Sequence, residues 1–201
     1  MKKMYIDGCW VGHDAQDCTV VINPANGQII DTVPCATLAY VKNAIGAAKT
    51  AFLPGSEWRS LAPGDRSRIL HKIADLIEER TEEIARIEST NQGKTLFDST
   101  FDVELGAGFF RSMASMIGAL GGQTFDFSPS LHAMTIREPL GVCAIIVPWN
   151  YPFYIMTQYA SIALAAGNTI ICRPSEITPM SAIALFEIFE EAGLPKGVAN
   201  L

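Results

Sequence analysis

The chain has 201 residues, of which 49% are hydrophobic and 18% charged, and its formal net charge is −6. This composition excludes an intrinsically disordered chain, a collagen and a small disulfide-rich protein. Acidic side chains outnumber basic ones and the sequence has no strongly basic stretch. The charge balance therefore argues against a nucleic-acid partner.

The apolar segments are not those predicted for a signal peptide or a membrane span. Asp7 interrupts the first apolar residues, so no signal peptide is predicted. Residues 139–172 carry no charged side chain, but proline, asparagine and glutamine interrupt the stretch repeatedly. This pattern indicates a strand, a loop, a helix and a second strand. The sequence thus predicts a cytoplasmic protein without a membrane partner.

The cysteines and histidines indicate neither a disulfide framework nor a metal site. Five cysteines are present without a Cys-x-x-Cys pair, so they are interpreted as reduced thiols that are mostly small and buried. The histidines are far apart and have no partners at the spacing of metal ligands. No metal is expected.

The first part of the chain combines short β-like segments with amphipathic helices. β character is found at 4–6, 10–11 and 20–22, and a turn cluster follows at 23–27. Apolar residues spaced three and four apart predict helices. One helix is predicted after a Thr37 cap and a second over 69–77. A helical pattern then continues until it stops before Gly93, and a further helix is predicted from about Ser99 to Leu120. Residues 131–138 alternate and predict a strand with one wet face.

The second part predicts an alternating α/β unit. Two apolar runs, 141–147 and 168–172, are typical of buried parallel strands, the first of them buried on both faces. A helix is predicted between them, and another follows an N-cap and first-turn proline at Thr178 and Pro179. Residues 198–201 resemble the start of a third strand, whose bare edge would favour self-association. The predicted fold class is α/β, with an incomplete doubly wound, Rossmann-like parallel sheet.

Two short polar segments follow the predicted strands. They are Pro148-Trp149-Asn150-Tyr151-Pro152 and Arg173-Pro174-Ser175-Glu176. Ligands of open parallel sheets bind beyond the carboxyl ends of the strands. Because strands joined by one crossover often lie side by side, the two segments are expected to face one crevice.

Each prominent side chain in these segments has two interpretations. Asn150 has an amide suited to hold an oxyanion, but its spacing favours an N-cap for the following helix. Glu176 can accept both hydroxyls of a ribose, or it is a solvated carboxylate near a helix start. Arg173 would hold a ribose or phosphate oxygen, or simply pair with Glu176. Trp149 would wall a cofactor pocket or serve only in packing.

These residues carry a resemblance that extends over nearly the whole chain. The sequence resembles the aldehyde dehydrogenase superfamily, in the NAD-linked branch that includes betaine-aldehyde and aminobutyraldehyde dehydrogenases. The motifs that carry it are the residues at 22–27, 88–94, 140–142, 148–152, 165–169 and 173–176, and Pro179. The resemblance implies that the chain corresponds to the N-terminal portion of such an enzyme.

The resemblance also implies roles for single positions. Asn150 matches the family's catalytic oxyanion asparagine, which favours that role over the cap. Glu176 matches the glutamate that binds the adenosine ribose of NAD, and Ser175 belongs to the same cofactor-binding segment. Arg173 stands where the family usually has lysine, which leaves NADP possible as cofactor because guanidinium and ammonium are not equivalent. The strand end that lines the cofactor cleft is matched by Ile146, Val147, Pro148 and Trp149.

Three regions and a function follow from the resemblance. Residues 1–123 correspond to the N-terminal helical part of the cofactor-binding domain, 124–139 to an oligomerisation hairpin segment, and 140–201 to the first βαβα part of the dinucleotide-binding sheet. The implied function is NAD(P)-dependent oxidation of an aldehyde to a carboxylic acid by a homo-oligomer. The family's cysteine nucleophile has no match here, so the chain alone is expected to be inactive. A non-catalytic nucleotide-binding or association remnant is the alternative.

Overall fold

The computed structural model describes residues 3–13, 15–119 and 121–201. The strands in these residues are β1 (Met4–Ile6), β2 (Cys9–Val11), β3 (Cys18–Ile22), β4 (Ile29–Pro34), β5 (Thr124–Ser128), β6 (Leu131–Met134), β7 (Val142–Ile146), β8 (Thr169–Arg173) and β9 (Ala199–Asn200). The helices are α1 (Leu38–Phe52), α2 (Glu57–Ser60), α3 (Pro63–Glu79), α4 (Thr81–Gln92), α5 (Leu96–Met116), α6 (Pro152–Ala165) and α7 (Met180–Glu191), and a 3-10 turn (Ile117–Ala119) follows α5.

The predicted α/β unit is confirmed as a three-stranded parallel sheet in the order β7-β8-β9. Helix α6 connects the first two strands, and α7 connects the second to the third. In the register of β7 and β8, Ile146 lies opposite Arg173. The two strands therefore end together, and their following loops leave the sheet at the same edge.

One face of β7 is more exposed to solvent than its apolar sequence had predicted. Ile145 and Val147 are buried in the main core, but Ile146 on the opposite face is 71% exposed. Helix α1 covers this second face only at the other end of the strands, where the Thr169 hydroxyl donates to the Ala48 carbonyl at 3.0 Å. The prediction that 141–147 is buried on both faces is therefore wrong at its carboxyl end.

The main core lies on the covered face of the sheet, among α3 to α7. Its largest fully buried side chains are Trp58, Phe110, Phe153, Phe186 and Phe189. The Trp58 indole donates at 3.1 Å to the carbonyls of both Gly167 and Asn168. Since a buried indole N–H needs a partner, these bonds fix α2 against the turn that precedes β8.

The N-terminal strand β1 covers the edge at which a bare strand was predicted. The Leu201 N–H donates to the Tyr5 carbonyl at 2.7 Å, and the Tyr5 N–H donates to the Leu201 carbonyl at 3.1 Å. Asn200 is fully buried and accepts from the Asp7 N–H at 3.0 Å. The prediction of a bare edge at 198–201 is wrong, because residues almost two hundred positions away in the sequence pair with it.

Several element boundaries differ from the sequence pattern. Helix α5 starts at Leu96 rather than near Ser99, because the Thr95 hydroxyl accepts from the Asp98 N–H at 3.1 Å and caps it. Its predicted end at Leu120 lies outside the described residues. The strand predicted at 131–138 ends at Met134 and pairs with β5 as a hairpin. Strand β4 and the short helix α2 were missed by the pattern.

Two glycines of α5 give a matched test of its packing on α6. A Cβ at Gly106 would lie 2.8 Å from a ring carbon of Phe153, whereas nothing lies within 4 Å of a Cβ at Gly108. Gly108→Ala is expected to raise the free energy of unfolding by about 0.5–1 kcal/mol through helix propensity. Gly106→Ala is expected to lower it by about 1 kcal/mol, because overpacking outweighs that gain. Urea denaturation measures both changes, and equal effects would contradict the close packing.

Candidate functional site

The loops that follow β7 and β8 are bonded to each other. The Val147 N–H donates to the Arg173 carbonyl at 3.0 Å, and the Thr178 hydroxyl donates to the Trp149 carbonyl at 3.2 Å. Thr178 therefore does not cap α7, as its position before Pro179 had predicted; that helix has no side-chain cap bond at its N-cap. Its hydroxyl joins the two loops instead, so the predicted segments share one edge of the sheet.

Asn150 lies exposed at this edge and is not the cap of the following helix. The N-cap of α6 is Tyr151, which makes no side-chain capping bond, and Pro152 occupies the first helical turn. The cap interpretation of Asn150 is therefore wrong. The neighbouring rings of Trp149 and Tyr151 are about half exposed. An exposed amide between two aromatic side chains is chemically able to donate to an oxygen of a ligand.

Glu176 and Arg173 form a solvent-exposed ion pair. The Arg173 guanidinium lies 3.4 Å from the Glu176 carboxylate, and the two side chains are 66% and 59% exposed. The pairing interpretation of Arg173 is thus correct in this structure. Exposed pairs of this kind contribute at most about 1 kcal/mol, so a ligand can recruit either group at low cost. The Ser175 hydroxyl accepts from the Ile177 N–H at 3.3 Å and shapes the same loop.

A groove of about 510 Å³ runs along the open face of the sheet. The predicted site residues that line it are Ile146, Arg173, Ser175 and Glu176. Its other wall comes from β4 and the first turns of α1, including Val33 and Tyr40. Apolar walls with a few polar groups at one end are typical of small-molecule sites.

The remaining predicted residues lie beside this groove rather than in it. Val147 is only 2% exposed and its side chain packs in the core, so it supports the strand end from behind. Pro148, Trp149 and Asn150 are exposed at the sheet edge. The structure thus brings all the predicted residues to one end of the sheet. Some of them line the groove, and the others lie at the sheet edge or behind it.

A buried charge cluster beneath the site was not predicted as functional from the sequence. The Lys94 ammonium lies 2.5 Å from the Asp102 carboxylate and 3.5 Å from that of Glu88. The three side chains are 10%, 6% and 1% exposed, respectively. Two carboxyl groups thus share one ammonium inside the protein. Glu88 and Asn91 continue the buried face of α4 after Ile84 at helical spacing, and this is the signal that could have found them.

The charge cluster contacts the loop that carries Asn150. The Lys94 ammonium lies 4.3 Å from the centre of the Tyr151 ring, a cation–π distance. The Phe153 N–H donates to the Glu88 carboxylate at 3.4 Å. Tyr151 and Phe153, which closely follow Asn150, are therefore both in contact with the charge cluster.

The ionisation of Glu88 gives a pH-dependent stability. Burial raises the pKa of its carboxyl above the ordinary 4.5, and the Lys94 ammonium offsets part of that rise. Because the folded protein binds this proton more tightly, the resulting stability is fully present below pH 4.5 and is lost as pH rises through the raised pKa. Glu88→Gln should therefore gain stability relative to wild type as pH rises above 4.5, as measured by urea denaturation. A pH-independent difference between Glu88→Gln and wild type would contradict the raised pKa.

The cysteines nearest the site are held as thiols. Burial raises the pKa of Cys172 in β8 far above its ordinary value, and it also raises that of Cys143 in β7. Neither is therefore suited to act as a thiolate nucleophile at neutral pH. Cys9, Cys18 and Cys35 are exposed, so the prediction that the cysteines are mostly buried is wrong. Cys35 lines the far wall of the groove.

The described residues contain neither a candidate membrane span nor a candidate metal cluster. None of the helices at 3–13, 15–119 and 121–201 has the length and apolarity needed to cross a bilayer. Within the same residues, no group of three or more histidine, cysteine or acidic side chains is arranged to hold a metal ion.

Known proteins match the chain in both sequence and structure. Residues 10–201 match the Aldehyde dehydrogenase family. Betaine aldehyde dehydrogenase of Bacillus subtilis (strain 168) is 43% identical over 100% of this chain and 41% of its own length. A variant of betaine aldehyde dehydrogenase from Staphylococcus aureus, solved in complex with NAD+, is 38% identical with a TM-score of 0.95, covering 100% of this chain and 41% of that one. A structure described as an E. coli NADP dependent enzyme is 33% identical with a TM-score of 0.94, covering 99% and 41%.

The chain spans about two-fifths of the length of these relatives. The family match includes both strand-end loops, the groove residues of the sheet and the buried cluster beneath them. It also covers far more than half of the chain. The chain therefore belongs to the aldehyde dehydrogenase family.

Proposed function

We propose that the groove and the two strand-end loops form part of a nicotinamide dinucleotide site in an enzyme that oxidises an aldehyde to a carboxylic acid. The observation that carries this proposal is the register of β7 and β8, which ends both strands together at Ile146 and Arg173. A polar loop leaves each strand at the same edge, and a hydrogen bond from Thr178 to Trp149 joins them. This is the position at which open parallel sheets bind nucleotides.

The proposed adenosine end of the site is the groove at β8. Glu176 would accept the two ribose hydroxyls, and this fits its exposed carboxylate at the groove wall. Arg173 lies beside it and could meet a ribose oxygen or, with NADP, the additional phosphate. The exposed Ile146 side chain offers an apolar floor. The chemistry of these groups fits NAD, and the arginine leaves NADP as the second candidate.

The proposed catalytic contribution of the chain is the Asn150 amide. The dinucleotide, when bound, accepts a hydride from the substrate. Asn150 would donate to the substrate oxygen as negative charge develops on it, a stabilisation that is commonly the largest single term in acyl transfer. Because burial keeps Cys143 and Cys172 as thiols, we propose that these two cysteines do not supply the nucleophile. None of the five cysteines matches the nucleophile motif of the family, so we propose that the chain by itself binds the dinucleotide without oxidising the aldehyde.

The segment 124–139 is proposed as an interface between copies of the chain. Its hairpin β5–β6 exposes large apolar side chains, which include Phe127 at 68%, Leu131 at 56% and Met134 at 72%. Exposed apolar groups at this density mark interaction surfaces. This observation also favours the second candidate function, a non-catalytic association or nucleotide-binding module. In sedimentation equilibrium we expect self-association that weakens in a Phe127→Ser, Met134→Ser double variant, and a concentration-independent monomer would contradict it.

Calorimetric titration with NAD and with NADP tests the proposal. We expect the wild-type chain to bind NAD with one site per chain and to produce no NADH absorbance when betaine aldehyde is added. Failure of both dinucleotides to bind would overturn the nucleotide site. Steady NADH production would overturn the proposal that the chain does not oxidise the aldehyde by itself.

A further inference from the structure

Neither crossover helix at the site is capped by its own N-cap side chain. Helix α6 starts after Tyr151 and α7 after Pro179, and neither residue makes a side-chain capping bond. The first N–H groups of a helix have no partner within the helix. Buried at the foot of the two loops, such groups need acceptors from elsewhere in the protein.

Helix α4 supplies an acceptor to each of these helices. The Glu88 carboxylate accepts from the Phe153 N–H of α6 at 3.4 Å. One turn further along, the Asn91 side-chain oxygen accepts from the Met180 N–H of α7 at 3.1 Å. The two acceptors are 1% and 4% exposed, so their geometry is fixed inside the protein.

The end of α4 and the residues directly after it also hold the loops that precede the two helices. The Asn91 amide nitrogen donates to the Ile177 carbonyl at 3.0 Å, directly after Glu176. Lys94 lies beneath the Tyr151 ring, directly after Asn150. Gly93, with φ of 93°, lets the chain turn at the end of α4. The Lys94 carbonyl then accepts from the Ser89 hydroxyl at 2.8 Å, which fixes this turn.

We propose that Glu88, Asn91 and Lys94 are positioning residues of the nucleotide site, through which the end of α4 caps both crossover helices and sets the spacing between the Asn150 and Glu176 loops. The identity of the ligand in this inference rests on the proposed function, whereas the capping of α6 and α7 does not. None of the three side chains lines the groove. They act through the backbone groups that they bind.

Two pairs of variants in the full chain test the proposal. Asn91→Ala removes the acceptor for the Met180 N–H, and Asn91→Asp keeps one. Glu88→Ala and Glu88→Gln form the same pair for the Phe153 N–H. We expect each alanine variant to speed amide hydrogen exchange at its own helix start by about tenfold or more, beyond any change in global unfolding, and to weaken NAD binding about tenfold. The conservative variants should restore protection of the matching amide.

The outcomes separate this inference from the proposed function. Arg86→Ala on the exposed face of α4 is the control and should change neither measurement. Unchanged exchange at Phe153 and Met180 in the alanine variants would overturn the capping. Faster exchange with unchanged NAD affinity would overturn the positioning role. If the wild type binds no dinucleotide, the proposed function fails, and exchange alone still decides whether α4 caps both helices.

Discussion

Replacement of Lys94 by methionine is expected to lower the free energy of unfolding by about 3–5 kcal/mol. Its ammonium is the cation between the Asp102 and Glu88 carboxylates, all three of which are at most 10% exposed. Methionine has a similar length but no charge, so both carboxylates would be left buried without a counterion. Chemical denaturation at neutral pH measures the loss.

The double variant and a surface pair provide the controls. Adding Asp102→Asn to Lys94→Met removes one of the uncompensated charges and should recover part of the stability. Arg86→Met breaks an exposed pair with Glu82 on the same helix and should cost less than about 1 kcal/mol. If Lys94→Met costs no more than Arg86→Met, Lys94 does not compensate buried charge, and the account of the cluster is wrong.

The second large effect is expected at the groove. Glu176→Ala should weaken NAD binding by about 10- to 100-fold, because hydrogen bonds to a charged group contribute about 1.5–3 kcal/mol each. The loss should be smaller for NADP, since removal of Glu176 frees the Arg173 guanidinium that it pairs with at 3.4 Å. Calorimetric titration of both dinucleotides measures the two affinities.

A distant carboxylate provides the control for the effect of Glu176. Glu104 is exposed on α5 and does not line the groove. Glu104→Ala removes the same charge and should leave both affinities unchanged. Equal weakening by the two variants would mean that net charge, rather than a ribose contact at Glu176, governs binding.

The sequence predicted the βαβα unit and its two loops because these features are local. Continuous apolar runs mark β7 and β8, and both segments that follow them are found at one sheet edge. The helical pattern likewise predicted that α4 ends before Gly93, which is its C-cap. The chemistry of the Asn150 amide suggested the oxyanion role, and the family resemblance favoured it over the cap. The structure excludes the cap, since Tyr151 is the N-cap of α6.

The features that were missed depend on contacts between distant residues. Thr178 has the sequence context of a cap, yet its hydroxyl bonds to the Trp149 carbonyl of the other loop. The predicted bare edge at 198–201 is paired with Tyr5 from the opposite end of the chain. The charge cluster was missed for a different reason, since its residues are close in sequence. Periodicity places only Glu88 on the buried face of α4, and the turn between α4 and α5 brings Lys94 and Asp102 to it.

We expect one dinucleotide to contact the loops after both strands. Amide chemical shifts of isotope-labelled chain, recorded during titration with NAD, measure this residue by residue. Saturable changes are expected at the amides of 149–151 and of Arg173 and 175–177, with a single dissociation constant for both loops. Changes limited to one loop, or centred on residues outside this sheet edge, would contradict it.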